Sequence, residues 1–138
     1  MTDCLFCKIV AGEIPAQIVH EDARTIAFMD IAPATRGHCL VVPRTHTDDL
    51  LTADPEDVTA CALVTQELSR RAYEDLGAAG VNVLQSSGAA AWQSVFHLHF
   101  HVIPRYAGDP LVLPWRHADG VAEEIAAAAA QLRDAVPE

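Results

Sequence analysis

The segment HLHFHVI, residues 97–103, places three histidines at alternate positions. Imidazole is suited to nucleophilic, acid–base or metal chemistry near neutral pH. Successive side chains of a β-strand point to opposite faces, so His97, His99 and His101 would share one face and apolar residues the other. A catalytic metal site, or a nucleophile with two supporting imidazoles, fits this pattern. A merely solvated face fits less well, because the alternation is strict.

Two cysteines near the start of the chain are spaced as C-x2-C. Cys4 and Cys7 fall within one turn of a predicted short helix. They supply two of the four nitrogen or sulfur ligands that structural zinc requires. A redox pair and two half-buried thiols are the alternatives that spacing alone leaves open. Cys39 and Cys61 lie in apolar segments and are expected to be buried.

A loop of small residues, SGAAAWQ, leads into the histidine segment. Small residues let a ligand approach the backbone closely. With Gln93 and Ser94, this loop offers an amide, a hydroxyl and backbone N–H groups, which suit a phosphate. An ordinary connecting turn has the same composition.

Composition bounds the class of protein. The chain has 138 residues, 51% of them hydrophobic, which fits a single domain over residues 1–138 with a substantial core. Its formal net charge of −10 argues against nucleic acid as a partner. The first residues carry no secretory signal and no segment reaches membrane-spanning length, so we expect no membrane partner and a cytoplasmic protein with reduced thiols.

The remaining elements predict an antiparallel α+β fold. Apolar and turn residues predict a short N-terminal helix, a hairpin, the strand HCLVVP, the strand GVNVLQS and a longest strand over residues 94–105. A long helix begins at Asp54 and Pro55 and ends at Gly77. Residues 107–138 are generic and include a last helix over residues 119–135. Adjacent strands with few intervening helices favour this fold over a doubly wound parallel sheet.

Three segments together resemble one known family. QSVFHLHFHVIPR resembles the signature His-φ-His-φ-His-φ-φ, in which φ is apolar. AFMDIAPATRGHCLVVPRTH resembles the pattern Asp-x-x-Pro-x-x-x-Gly-His-x-Leu-x-x-Pro-x-x-His, and DCLFCKIVAGEIPA resembles the segment that precedes it. The chain is similar to the histidine triad (HIT) family, in its zinc-containing bacterial, nucleotide-binding and phosphoramidase-like branch.

The resemblance implies a fold and a reaction. The fold is a sheet of about five antiparallel strands with one long and one short helix, and two sheets join across a homodimer. The reaction is hydrolysis or transfer at the α-phosphate of a purine nucleotide, such as a conjugate of AMP. His99 would be the nucleophile and would form a nucleotidyl-histidine intermediate. Cleavage of dinucleoside polyphosphates and a nucleotide-binding scaffold are the alternatives.

The resemblance also implies roles for individual residues. Phosphate contacts would come from Gln93, Ser94, Ser87 and His101. Asp30 would bind the ribose hydroxyls, and Phe6, Ile9, Phe28 and Ile31 would wall the base. His38 would stand behind the triad. Structural Zn²⁺ would be held by Cys4, Cys7, His46 and His97. The chain departs from the family pattern at Ser87, where Asn is usual, and at Trp92, where Gly is usual.

Overall fold

Three α-helices, one 3₁₀ turn (Ala89–Ala91) and five strands make up the fold in the computed structural model, which describes residues 3–135. The helices are α1 (Leu5–Val10), α2 (Pro55–Leu76) and α3 (Ala122–Ala135). The strands are β1 (Ile18–Glu21), β2 (Thr25–Met29), β3 (Cys39–Pro43), β4 (Gly80–Gln85) and β5 (Phe100–Arg105). They form one antiparallel sheet in the order β1-β2-β3-β5-β4. The predicted α+β class and strand count are confirmed.

The central strands bury both of their faces, which separates the core into two halves. Ile26 and Phe28 of β2 pack with Phe6 and Ile9 of α1. Ala27, between them in sequence, packs instead with residues of α2. This period-two alternation places α1 and α2 on opposite faces of the sheet. The histidine segment reaches the α1 face, where the candidate site lies.

The ends of α2 follow from local chemistry. The Asp54 carboxylate accepts the Glu56 backbone N–H at 2.8 Å, and Pro55 occupies the first helical position, where no N–H donor is needed. Gly77 ends the helix at φ +71°, a left-handed conformation that favours glycine. The predicted bounds of this helix are confirmed.

The predicted longest strand is shorter than expected. Pairing begins at Phe100, opposite Val41, and residues 95–99 approach the sheet without forming a ladder. Two residues further along β3 the partner would be Pro43, which has no N–H to donate. Its carbonyl instead accepts the His97 ring N–H at 2.8 Å. His97 and His99 therefore stand just before β5, and between them the Leu98 backbone N–H donates to the Thr47 carbonyl at 2.8 Å.

The C-terminal segment carries one helix, which starts later than predicted. α3 begins at Ala122, not at residue 119, and residues 110–121 form neither helix nor strand. Glu123 and Glu124 in its first turn and Arg133 in its last complement the helix dipole. Within residues 3–135, no helix is long and apolar enough to cross a membrane.

Candidate active site and metal centre

The histidines line up on the α1 face as a row of touching rings. The ring centroids of His99 and His101 are 4.9 Å apart, and those of His101 and His38 are 5.1 Å apart. Phe6 of α1 meets the His99 ring edge-on at 5.0 Å. Phe6 thus covers the His99 end of the row, where the imidazole is only 5% exposed.

Hydrogen bonding fixes the tautomer of His99. Its Nδ1 lies 2.7 Å from the backbone carbonyl oxygen of His97, which only accepts, so Nδ1 carries the proton. The lone pair of the neutral ring is then on Nε2. Burial lowers the pKa of His99, although the His97 carbonyl and the Asp30 carboxylate oppose this effect. At neutral pH His99 therefore presents an unprotonated Nε2, the state of a nucleophile.

His101 is held in the opposite tautomer by a chain of donors. The backbone N–H of Ala34 donates to Nδ1 of His38 at 2.9 Å, so the proton of His38 is on Nε2. That N–H donates to Nδ1 of His101, also at 2.9 Å. His101 consequently carries its own proton on Nε2. The row presents one lone pair, on His99, beside one N–H donor, on His101.

Burial keeps His101 neutral over a wide pH range, and this makes stability depend on pH. Desolvation, with help from His99 and His38, lowers the pKa of His101 from 6.5 to about 4. The unfolded chain binds the proton first, so this contribution to stability is complete above pH 6.5 and is lost as pH falls towards 4. We expect the slope of unfolding free energy against pH in that window to shrink by up to about 1.4 kcal/mol per pH unit in His101→Asn.

The measurement for this prediction is urea unfolding of both proteins at several pH values. His117→Asn is the matched control, because His117 is exposed outside the sheet. An unchanged slope in His101→Asn, or an equal change in His117→Asn, would contradict the buried neutral state of His101.

A pocket of about 230 Å³ opens beside the histidine row, and we call it the triad pocket. It gathers most of the residues that sequence reasoning assigned to substrate. These are Phe6, Ile9, Phe28, Asp30, Ile31, Ser94, His99 and His101. Ile31 stands at the rim, with 96% of its surface exposed. Leu5, Ile14, Ala16 and Val95 also line the pocket and were missed, since isolated apolar residues carry no functional signal.

Asp30 has two roles at the edge of this pocket. Its Oδ1 accepts the backbone N–H of Ala32 at 2.8 Å, which caps the turn after β2. Its Oδ2 lies 3.5 Å from Nε2 of His38. The carboxylate is held in place by the turn, and one oxygen faces the histidine row.

Two of the predicted phosphate contacts lie outside the triad pocket. The buried Gln93 amide donates to the carbonyls of Asp48 at 2.6 Å and Val95 at 3.1 Å, and its oxygen accepts the Gly88 N–H at 2.7 Å. The Ser87 hydroxyl accepts the Leu50 N–H at 3.2 Å. Both side chains therefore tie the loop before the triad to residues 48–50.

The bracing by Gln93 predicts a large effect from a small change. In Gln93→Glu, a carboxylate would face the Asp48 and Val95 carbonyls and could donate to neither. We expect a loss of about 2–3 kcal/mol of unfolding free energy, because two carbonyl acceptors lose their donor and a charge is placed on a buried side chain. Chemical denaturation measures it. Gln66→Glu, the same change on the exposed side of α2, should stay within about 0.5 kcal/mol. Similar stability of the two variants would disprove the bracing role.

Other backbone N–H groups of the loop before the triad form hydrogen bonds within the loop. Backbone N–H groups of Ala91 and Trp92 donate to carbonyls within the loop, so they do not offer themselves to a ligand as the sequence suggested. Trp92 has φ +74°, the left-handed region in which side chains other than glycine are strained. This explains why glycine is usual here. The indole ring is 63% exposed and does not line the triad pocket, so it leaves that pocket unobstructed.

The four predicted zinc ligands come together at the other end of the row. Nδ1 of His97 lies 3.4 Å from Sγ of Cys4 and 3.5 Å from Sγ of Cys7. Nδ1 of His46 lies 3.3 Å from Sγ of Cys7 and 3.3 Å from Nδ1 of His97. Tetrahedral zinc with ordinary bond lengths separates such ligand atoms by roughly 3.3–3.6 Å. The donor set and its spacing fit zinc.

The outer nitrogens of the two histidines support the same conclusion. Nε2 of His97 donates to the Pro43 carbonyl at 2.8 Å, and Nε2 of His46 donates to Asp48 at 3.0 Å. Each ring therefore turns an unprotonated Nδ1 towards the cysteines, as metal-binding histidines do. Asp48 was missed by sequence reasoning. Its position two residues after His46 was the available signal.

A second group of three potential ligands does not meet this test. Asp30, His38 and His101 also place ligand atoms within 4.8 Å of one another. However, the Ala34 N–H occupies Nδ1 of His38, which leaves the proton on Nε2, where a metal would need a lone pair.

The other two cysteines do not carry the charge of metal-binding thiolates: burial raises the pKa of Cys39 to about 11 and that of Cys61 to about 12, so these thiols stay protonated. Their predicted burial is confirmed.

Comparison with known proteins agrees with this geometry. A HIT family member from Bacillus subtilis covers 99% of this chain and of its own, with a TM-score of 0.90 and 33% identity. A Zn-bound histidine triad protein from Mycobacterium smegmatis is 45% identical, with a TM-score of 0.77, over 97% of this chain and 98% of its own. A histidine triad nucleotide-binding protein from Candida albicans is 30% identical, with a TM-score of 0.82, over 96% of each chain. The HIT domain model matches residues 11–108. The chain belongs to the HIT family.

Proposed function

We propose that this protein hydrolyses purine nucleoside phosphoramidates, or related nucleotidyl conjugates, at the α-phosphate. The observation that carries the proposal is the tautomer of His99, whose Nδ1–H is fixed on the His97 carbonyl at 2.7 Å. Nε2 of His99 attacks phosphorus and forms a P–N bond. The bond to the leaving nitrogen breaks, and that nitrogen keeps the electron pair and takes a proton from a water molecule, which becomes hydroxide. The hydroxide then attacks phosphorus, the P–N bond to His99 breaks, and the nucleoside monophosphate and neutral His99 are released.

The neighbouring groups suit the charge that develops in this reaction. We propose that the Nε2–H of His101 and the hydroxyl of Ser94 donate to phosphate oxygens, where negative charge must be stabilised in the transition state. Asp30 accepts hydrogen bonds from the ribose diol, and Phe6, Ile9, Phe28 and Ile31 bound the base. Because His101 is neutral, it does not repel the positive charge of the imidazolium that forms when His99 is nucleotidylated.

The charge of the triad pocket favours a phosphoramidate over a dinucleoside polyphosphate. No lysine or arginine is among the described residues that line it. A polyphosphate leaving group would bring several negative charges into a site without a compensating cation, in a protein of net charge −10. An amine leaving group brings none.

The test compares two substrates on the same protein. We expect the kcat/KM for adenosine 5′-phosphoramidate to exceed that for diadenosine triphosphate by at least about 100-fold, equivalent to about 2.7 kcal/mol. Comparable values would contradict the preference for an amine. Turnover of neither substrate, together with micromolar binding of AMP, would identify a nucleotide-binding scaffold instead.

We further propose that Cys4, Cys7, His46 and His97 hold a structural zinc ion. Bound there, the ion would fasten α1 to the loop after β3 and to the start of the triad. With four protein ligands the coordination shell is complete, so the ion would contribute to folding and not to the chemical step.

A homodimer completes the proposal. β4 is the outer strand on the β5 side of the sheet, and its Val83 and Leu84 are 52% and 39% exposed. Pairing of two such edges would extend the sheet across the dimer and cover the exposed strand. Light scattering should then give twice the mass of one chain, and the mass of a single chain would contradict this.

A further inference from the structure

A second cavity, of about 450 Å³, adjoins the triad pocket. The two share three wall residues, Leu5, Ser94 and Val95. Phe96 and Asp3 line the second cavity alone, and we call it the Phe96 cavity. His99, His101 and Asp30 line the triad pocket alone. The boundary between the two spaces therefore runs through Ser94, beside the place proposed for the phosphate.

The triad pocket alone is small for a nucleotidyl conjugate. At about 230 Å³ it falls below the range of roughly 300–1,000 Å³ that is usual for small-molecule sites. A nucleoside and a leaving group must lie on either side of the phosphorus. The Phe96 cavity is the space that adjoins Ser94 on the side away from the base-walling residues.

We propose that the Phe96 cavity is the leaving-group subsite, and that it takes an amine with an apolar body and a further positive charge. This inference rests on the proposed function and specifies its substrate. The apolar wall is Leu5, Val95 and Phe96, of which Leu5 and Phe96 are 42% and 48% exposed. Half-exposed large apolar side chains at a concave surface indicate a binding site.

The charge of the cavity sets the preference for a cation. Among the described residues that line it, Asp3 carries the carboxylate and none is a lysine or an arginine. Two predicted zinc ligands, Cys4 and His46, form the remaining wall. The Asp48 carboxylate accepts from Nε2 of that His46 at 3.0 Å and adds a second negative charge nearby. A second ammonium group on the leaving amine would be attracted, and a phosphate would be repelled.

The test uses three AMP phosphoramidates that differ only in the amine released. These amines are ammonia, phenethylamine and 1,5-diaminopentane. In Phe96→Ala, we expect kcat/KM for the phenethylamine conjugate to fall about 5-fold, equivalent to roughly 1 kcal/mol. The ammonia conjugate does not fill the cavity, so its kcat/KM should change less than about 2-fold. In Asp3→Asn, we expect kcat/KM to fall only for the diaminopentane conjugate, by about 3-fold.

Controls separate binding from folding. Leu63→Ala removes an exposed leucine from α2, on the face of the sheet opposite α1. It should leave kcat/KM unchanged for all three conjugates. Zinc content and melting temperature identify any variant that is merely misfolded, and Phe96→Leu, which keeps an apolar side chain in the wall, should retain most of the activity on the phenethylamine conjugate.

The outcomes distinguish this inference from the proposed function. Equal losses on all three conjugates, or no loss on the phenethylamine conjugate, would overturn the leaving-group subsite while phosphoramidate hydrolysis stands. If the wild-type protein turns over none of the conjugates, including that of ammonia, the proposed function itself fails.

Discussion

Replacing His99 with glycine should abolish hydrolysis of adenosine 5′-phosphoramidate while AMP still binds. We expect kcat to fall by about 10⁴-fold or more, as loss of a covalent nucleophile does in other hydrolases. Binding should persist, because the apolar walls and the Asp30 carboxylate of the triad pocket remain in place. Single-turnover kinetics measures the chemical step, and calorimetry measures the affinity for AMP.

The control for this variant is His117→Gly, which removes an exposed histidine outside the sheet. It should retain full activity. Substantial turnover by His99→Gly, or equal losses in both variants, would contradict the assignment. A parallel loss of AMP affinity and thermal stability in His99→Gly would mean that the ring is needed for packing against Phe6 and not for chemistry.

Removing the two N-terminal thiols should release zinc and destabilise the fold. We expect the double variant Cys4→Ser, Cys7→Ser to contain less than about 0.1 zinc per chain, because two of four ligands are lost. Structural zinc contributes roughly 10 kcal/mol or more of apparent binding free energy in small domains. A fall in melting temperature of at least about 10 °C is therefore expected. Elemental analysis and calorimetry measure the two effects.

The matched control is Cys39→Ala, which removes a thiol buried on the α2 side of the sheet. It should lose some stability through the cavity it leaves, but keep its zinc. Wild-type protein that is free of metal yet equally stable would contradict the structural role. So would a double variant that retains zinc.

Spacing predicted the parts of the site that depend on backbone geometry. Alternation in HLHFHVI placed three imidazoles on one face, and the C-x2-C pair placed two thiols within one helical turn. Asp54 and Gly77 marked both ends of α2, because capping chemistry is local. The four proposed zinc ligands come from three distant segments, and predicting them required the family resemblance, since no spacing rule connects residue 7 with residue 46.

The parts that sequence could not predict depend on long-range partners. Pro43 shortens β5 only because the register of the sheet brings it opposite Leu98. Gln93 was assigned to phosphate from its place in the motif, yet its amide is committed to Asp48, Val95 and Gly88. The tautomers of His99 and His101 follow from carbonyl and amide groups that a sequence does not display. These details decide which nitrogen can react.

The central claim is that Nε2 of His99 carries the nucleotidyl group during turnover. Rapid mixing with the phenethylamine phosphoramidate, followed by quenching in alkaline denaturant and mass spectrometry of proteolytic peptides, tests it directly. We predict a nucleotidyl adduct on the peptide that contains residues 97–101, assigned to His99 by fragmentation and absent in His99→Gly. Steady turnover without any adduct, or an adduct on His97 or His101 instead, would contradict the account.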